Sequence, residues 1–405
     1  MKIRLLSDEM YIRINCYLVV MWIAVVLARV LSLTSTFFWI VNLIGFVVLF
    51  VRYMRLIDKA TFQICLFATL TGLISFLLNT EYLSNSLKSI GTNVGILTLP
   101  MFLCVFASLR RYPLGEEETV KILKCLSALG TIVMLSVLLL DFRNIFSVAL
   151  GRHSSYGLSL SGLFYGKNIY GAFLALTMCA DLYLYKSGSR RRGGGILLCV
   201  VKFIGVILSF SRAALLQAVI ALFLFYWFSR KRAFKEWAAA VVIVAAMGIY
   251  IAGHPEIIQF IEKQVLRVDV GDAGREAARL RTLSVIPQGI MTKLFGVGNA
   301  GIDTLSLDID NSFYYVYFAG GAVRLILYLS LMIKGLVNAM RLKMKNLYLG
   351  NICFAVGLSF IAYSYFESVP LFEMGLINFC YMVFMYFLPM GYQESNVGND
   401  PNLEE

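Results

Sequence analysis

"GILLCVVKFIGVILSFSRAALLQAVIALFLFYWF", residues 195–228, is apolar from end to end except for Lys202, Gln217 and a short polar break at Ser209-Phe210-Ser211-Arg212. A helix rises about 1.5 Å per residue and the hydrocarbon core of a bilayer is about 30 Å thick. The stretch therefore reads as two short spans, 195–210 and 212–228, meeting at Ser211 and Arg212. Extended along the chain, the same measure marks further spans at 16–33, 37–54, 60–78, 93–109, 120–140, 168–185, 237–252, 312–333, 347–365 and 371–390. The expected fold is an all-α polytopic transmembrane bundle of about 12 spans. Composition agrees, because 59% of the 405 residues are hydrophobic and only 15% are charged. The mean hydropathy is +0.77. No water-soluble domain of this length needs such a balance for its core.

Charge sets the orientation. Basic residues cluster in the segments that fall inside if the N-terminus is cytoplasmic: Lys2, Arg4 and Arg13; Arg52, Arg55 and Lys59; Arg110, Arg111, Lys121 and Lys124; Lys186 and Arg190 to Arg192; Arg230, Lys231, Arg232 and Lys235; Lys334, Arg341, Lys343 and Lys345. Positive residues are retained on the cytoplasmic side, so both termini are expected there. Residues 1–390 form a single transmembrane domain, with one large exterior loop at 253–311 containing short amphipathic helices and a polar, disordered cytoplasmic tail at 391–405. The net charge of +12 is spent on topology. Nucleic acid is accordingly not expected as a partner, and the lipid bilayer is.

Other signals are weaker. The eight cysteines lie mostly in or beside apolar runs and show no C-x-x-C spacing, so they read as small core residues. The first apolar run is too long for a signal-peptide core and reads as a retained span. His153 and His254 have no ligand-like neighbours, so no metal or other cofactor is expected. "GVGNAG", 296–301, satisfies G-x-G-x-x-G without the strand or the βαβ unit that would make it dinucleotide-binding. It reads as a flexible turn. Arg29, Lys202 and Arg324 fall inside spans, where a charge calls for a partner.

Topology does not explain the arginines of "RVDVGDAGREAARLRTLSV", 267–285. Arg275, Arg279 and Thr282 recur at helical spacing on one face, whereas Leu280, Leu283 and Pro287 take another, and Arg281 lies close by. Such a helix can lie on the membrane with its basic face turned to one target. Arg212 stands at a helix start beside Ser209 and Ser211, where unpaired backbone N–H groups also favour an anion. Together these arginines outline an exterior site for phosphate or pyrophosphate.

Five motifs occur in a fixed order: "SGLFYGKNIYGAFLAL" from Ser161, "SFSRAALLQ" from Ser209, "GREAARL" from Gly274, "LFGVGNAGID" from Leu294 and "DIDNSFYYVYFAGG" from Asp308. Taken together, they resemble the O-antigen ligase and polymerase superfamily of bacterial membrane glycosyltransferases, over about Ser161 to Glu367. The resemblance implies a metal-independent, GT-C-like transferase at the outer face of the bacterial cytoplasmic membrane, whose donor is an oligosaccharide on undecaprenyl pyrophosphate. It also implies that Arg212 and Arg275 hold the donor pyrophosphate, with Arg279 beside them. Ligases of the superfamily carry a histidine before the asparagine of the last motif, and here that place is Asp310. The aspartate points to the polymerase branch. Asp310 and Glu367 are the candidate catalytic carboxylates, although a D-N-S run before an apolar segment is also an ordinary helix cap. Asn168, Asn311 and Arg281 are candidate glycan-binding residues.

The expectation is a polysaccharide polymerase of the Wzx/Wzy-type pathway, making O-antigen, capsule or exopolysaccharide, with a flippase and a chain-length regulator as further partners. Two alternatives stand beside it. One is an O-antigen ligase, and the other is a flippase or transporter of lipid-linked oligosaccharide, whose intramembrane charges would line a central path.

Overall fold

The computed structural model describes residues 2–30, 44, 59–78, 114–141, 160–164, 166–190, 192–228, 289–298, 301–302, 305, 309, 311–367 and 375–392. Among these residues all regular structure is helical, apart from one bridging pair between Leu114 and Tyr392. Helices α1 (Lys2–Val30), α2 (Lys59–Leu78), α3 (Glu116–Leu140), α4 (Lys167–Lys186), α5 (Arg192–Leu208) and α6 (Arg212–Phe228) precede a short α7 (Ile290–Phe295). Then follow α8 (Ser312–Lys345), α9 (Leu347–Phe366) and α10 (Leu376–Gly391), the last with a π turn at Val383–Phe387. Among the described residues four helices have the length and apolarity to cross a bilayer: Met10–Leu27 within α1, α3, α8 and α9. The protein is membrane-embedded. The expected spans at 93–109 and 237–252 lie outside the described residues, as do all of 37–54 but Ile44 and most of the 253–311 loop.

Helix α4 is the centre of the bundle. Every residue from Tyr170 to Leu184 on it is buried, and all but Thr177, Asp181 and the tyrosine hydroxyls are apolar, as suits a helix enclosed by others. It packs against α3, α5 and α6, while α9 packs against α6 and α8, and α1 lies on α3. Cys179, Cys353 and Cys380 are buried as expected, whereas Cys16 is exposed on α1.

One buried feature of α4 was missed by sequence reasoning. Asp181, wholly buried, accepts from Lys202 Nζ of α5 and from Arg190 at 2.5 Å each. Ser127 Oγ of α3 also donates to it, and Lys202 Nζ donates further to the Ser127 carbonyl at 2.9 Å. Lys202 thus has the partner that its place in a span demanded. Three helices and the segment after α4 are clasped by one carboxylate.

Helix α8 departs from the expected straight span at 312–333 in two ways. It continues to Lys345, through the basic cluster expected to be a connecting segment, and it breaks at Gly321 (φ 67°, ψ −167°). A straight helix would put fifteen residues about 22 Å apart, yet the Phe313 and Tyr328 rings lie 5.8 Å apart edge to face. The first part of α8 therefore folds back on the second at the glycine. A Cβ on Gly321 would overlap the Leu294 carbonyl and the Phe295 amide, and one on Gly296 (φ 75°) would overlap Phe318 and Gly320. The segment around α7 fits the bend only because both positions are glycine. "GVGNAG" is consequently no loose turn in its described part. Gly296, Val297 and Gly298 are buried, and the Val297 amide donates to the Phe318 carbonyl at 2.7 Å.

Candidate functional site

The connection between α5 and α6 is three residues long and tightly specified. Ser209 Oγ donates to the Val206 carbonyl at 2.6 Å and accepts from the Ser211 amide at 3.2 Å. Phe210 takes a left-handed backbone conformation (φ 52°), which is uncommon for a bulky residue and costs on the order of 1–3 kcal/mol. Ser211 Oγ accepts from the Ala214 amide at 3.3 Å, capping α6. Arg212 is therefore fixed as the first helical residue of α6, half-buried. This turn packs on the first turns of α4, where a Cβ on Gly171 would sit 2.7 Å from both Ser209 Oγ and Ala214 Cβ.

The start of α4 reaches two further elements. Asn168 Nδ2 donates to Glu367 Oε1 at 2.7 Å, and the buried Tyr363 hydroxyl donates to the Asn168 carbonyl at 3.3 Å. Ser312 Oγ, at the start of α8, donates to the Glu367 carbonyl at 2.7 Å. Asn311 donates from Nδ2 to the Tyr365 carbonyl at 2.9 Å, while its Oδ1 accepts the amides of Phe313 and Tyr314. Glu367 is thus held between α4 and α8 at the end of α9. Nearby on α4's side, Asp141 ends α3 and accepts the Ser161 and Gly162 amides, anchoring the start of the motif from Ser161.

The N-termini of α4, α6 and α8 meet at this one end of the bundle. A helix N-terminus leaves backbone N–H groups unpaired and carries partial positive charge. Arg212 and Lys167 add full charges, and α4 has no side-chain cap of its own. The end is suited to an anion placed beside a carboxylate. Among the described residues no group of three or more His, Cys, Asp or Glu could hold a metal ion.

Four of the expected residues, Arg212, Asn168, Asn311 and Glu367, thus come to the same end of the fold. Asp310, Arg275, Arg279 and Arg281 lie outside the described residues. The cap of α8 is Asn311, which gives that residue a structural duty beside any contact with a glycan. Ser312, Tyr363 and Asp141 were not singled out from the sequence. Only Ser312 had a signal there, its place in the D-N-S run. No family model matches the chain, and no curated protein matches it either.

The Asn168–Glu367 bond supplies a test of this geometry. Glu367→Gln keeps an acceptor for Asn168 and replaces a charge-assisted hydrogen bond by a neutral one, an expected loss of about 1 kcal/mol. Asn168→Asp sets two carboxylates against each other. Its thermal midpoint in detergent is expected to fall well below that of Glu367→Gln, and equal midpoints would contradict the contact.

Proposed function

We propose that the protein is a polysaccharide polymerase that transfers a growing glycan from undecaprenyl pyrophosphate to a lipid-linked repeat unit at the outer face of a bacterial cytoplasmic membrane. The observation that supports this reading is the meeting of Arg212, Asn168, Asn311 and Glu367 at one end of the bundle, around the starts of α4, α6 and α8. These residues were selected from separate motifs, up to about 200 positions apart. The basic-residue count assigns that end to the exterior, with both termini cytoplasmic.

In this reading Arg212, Arg275 and Arg279 grip the donor pyrophosphate through guanidinium forks, and the helix N-termini add to the field. The acceptor hydroxyl oxygen attacks the anomeric carbon of the donor sugar. The bond from that carbon to the pyrophosphate oxygen breaks, and undecaprenyl pyrophosphate leaves with its negative charge stabilised by the arginines. The hydroxyl proton passes to a carboxylate, Asp310 or Glu367. Asn168, Asn311 and Arg281 orient the sugar hydroxyls. No metal takes part, and the working partners are a flippase that delivers repeat units and a chain-length regulator.

Deleting the gene in its host separates the possibilities by the size and place of the glycan. A polymerase mutant keeps single repeat units on the surface and loses long chains. Long lipid-linked chains left unattached to their acceptor would indicate a ligase instead, and repeats held on the cytoplasmic face would indicate a flippase.

A further inference from the structure

Within the expected 253–311 loop lies α7, a helix of six residues whose exposed side chains are apolar apart from Lys293: Ile290 is 74% exposed, Met291 56% and Leu294 40%. It is not held loosely. The backbone of Leu294 and Phe295 sits in the bend of α8, the Val297 amide satisfies the Phe318 carbonyl, and Ser75 Oγ of α2 satisfies the Ala319 carbonyl at 3.3 Å. Val297, Ile302, Ile309, Phe318 and Ala319 form a small apolar core of their own behind it. The buried face of this segment is therefore accounted for, and the outward face remains.

Helix α2, against which α7 packs, also exposes apolar residues. Ser75 lies three residues before Leu78, the last described residue of α2, and its Ala319 partner belongs to the bend of α8 that holds α7, while α7 itself packs against α2. On the same stretch of α2, Leu73, Ile74, Leu77 and Leu78 are exposed, between 38% and 60%. Large apolar residues exposed on the helices of a membrane-embedded protein face lipid tails, and α7 and α2 present such residues on two elements that pack together. Lys293 on α7 is long enough to carry its charge back to the headgroups.

We infer that α7 is an interfacial anchor: Ile290, Met291 and Leu294 insert into the lipid of one leaflet, beside the end of α2, and tie the end of the large loop to the membrane. Insertion of the apolar side of a short helix at the acyl boundary gives binding that scales with buried apolar area, and the bend of α8 fixes its depth. This inference stands apart from the proposed enzymology, because it rests on packing and on the membrane alone.

Tryptophan placed on α7 tests it without an activity assay. Ile290→Trp and Met291→Trp, each in the full chain reconstituted into phosphatidylcholine vesicles, are compared with the parent protein, whose four tryptophans are subtracted. The added emission is expected to fall at least twofold when the vesicles carry bromine on their acyl chains, and to respond less to aqueous iodide. Iodide quenching equal to or greater than bromolipid quenching in both variants would overturn the anchor.

Discussion

Arg212→Lys and Arg275→Lys are each expected to abolish long-chain polymer while the protein remains in the membrane at parental levels. Lysine keeps the charge but presents a point donor in place of a planar fork. At Arg212 the turn built by Ser209, Phe210 and Ser211 fixes the backbone from which the side chain departs. A lysine from the same position offers no second parallel hydrogen bond to a phosphate oxygen. Loss of one such donor at a developing charge costs on the order of 10²- to 10³-fold in rate. Arg279→Lys should be milder. Immunoblots of surface polysaccharide decide the matter, and normal long chains from both of the first two variants would remove the pyrophosphate assignment.

The second large effect concerns stability. Asp181→Leu leaves Lys202 and Arg190 facing each other with no carboxylate between them, and Lys202 is 1% exposed. Breaking a buried pair by removing one partner costs about 3–5 kcal/mol. The variant should accumulate poorly in the membrane and melt early in detergent. Lys202→Leu should be less harmful, because Arg190 still neutralises Asp181. The double variant Asp181→Leu/Lys202→Leu should recover most of the loss, since Arg190, at 26% exposure, can turn toward the bundle end. A single Asp181→Leu as stable as the parent would contradict the clasp.

Hydropathy made much of this architecture legible, and the exceptions have physical causes. Apolar runs locate what lipid or a core surrounds, so α3, α4, α6 and α9 fall close to the expected limits. Helix α8 continues to Lys345 because hydrogen bonding extends a helix into polar sequence that hydropathy excludes. The fold-back at Gly321 was invisible, because Gly320-Gly321 in an apolar run reads equally well as close helix packing. Only the approach of Leu294 and Phe295 shows that a left-handed backbone is required. The Asp181–Lys202 pair was hidden in another way: each charge lies alone in its own apolar run, and nothing local joins two positions 21 residues apart.

The candidate site was legible where motif and chemistry coincided. Arg212 was marked by a charge beside two serines, and Asn168 and Glu367 by polar residues at span ends. That those two bond to each other is a tertiary fact, spanning 199 positions. The D-N-S run announced a cap before α8, and the structure assigns that duty to Asn311. The helix start is thereby independent of a cap at Asp310, which makes Asp310→Asn a cleaner probe of proton transfer than the sequence alone allowed.

The most direct measurement is single-turnover polymerisation by purified protein of a defined repeat unit on undecaprenyl pyrophosphate, in excess EDTA, with donor binding followed on the same preparation. The account predicts polymer and released undecaprenyl pyrophosphate from the parent. From Asp310→Asn it predicts turnover lowered by about 10²- to 10⁴-fold with donor binding retained. Undiminished turnover in Asp310→Asn would pass the proton to Glu367, to another exterior carboxylate or to the donor pyrophosphate itself. The absence of any polymer from the parent, in EDTA or with magnesium or manganese restored, would contradict the polymerase itself.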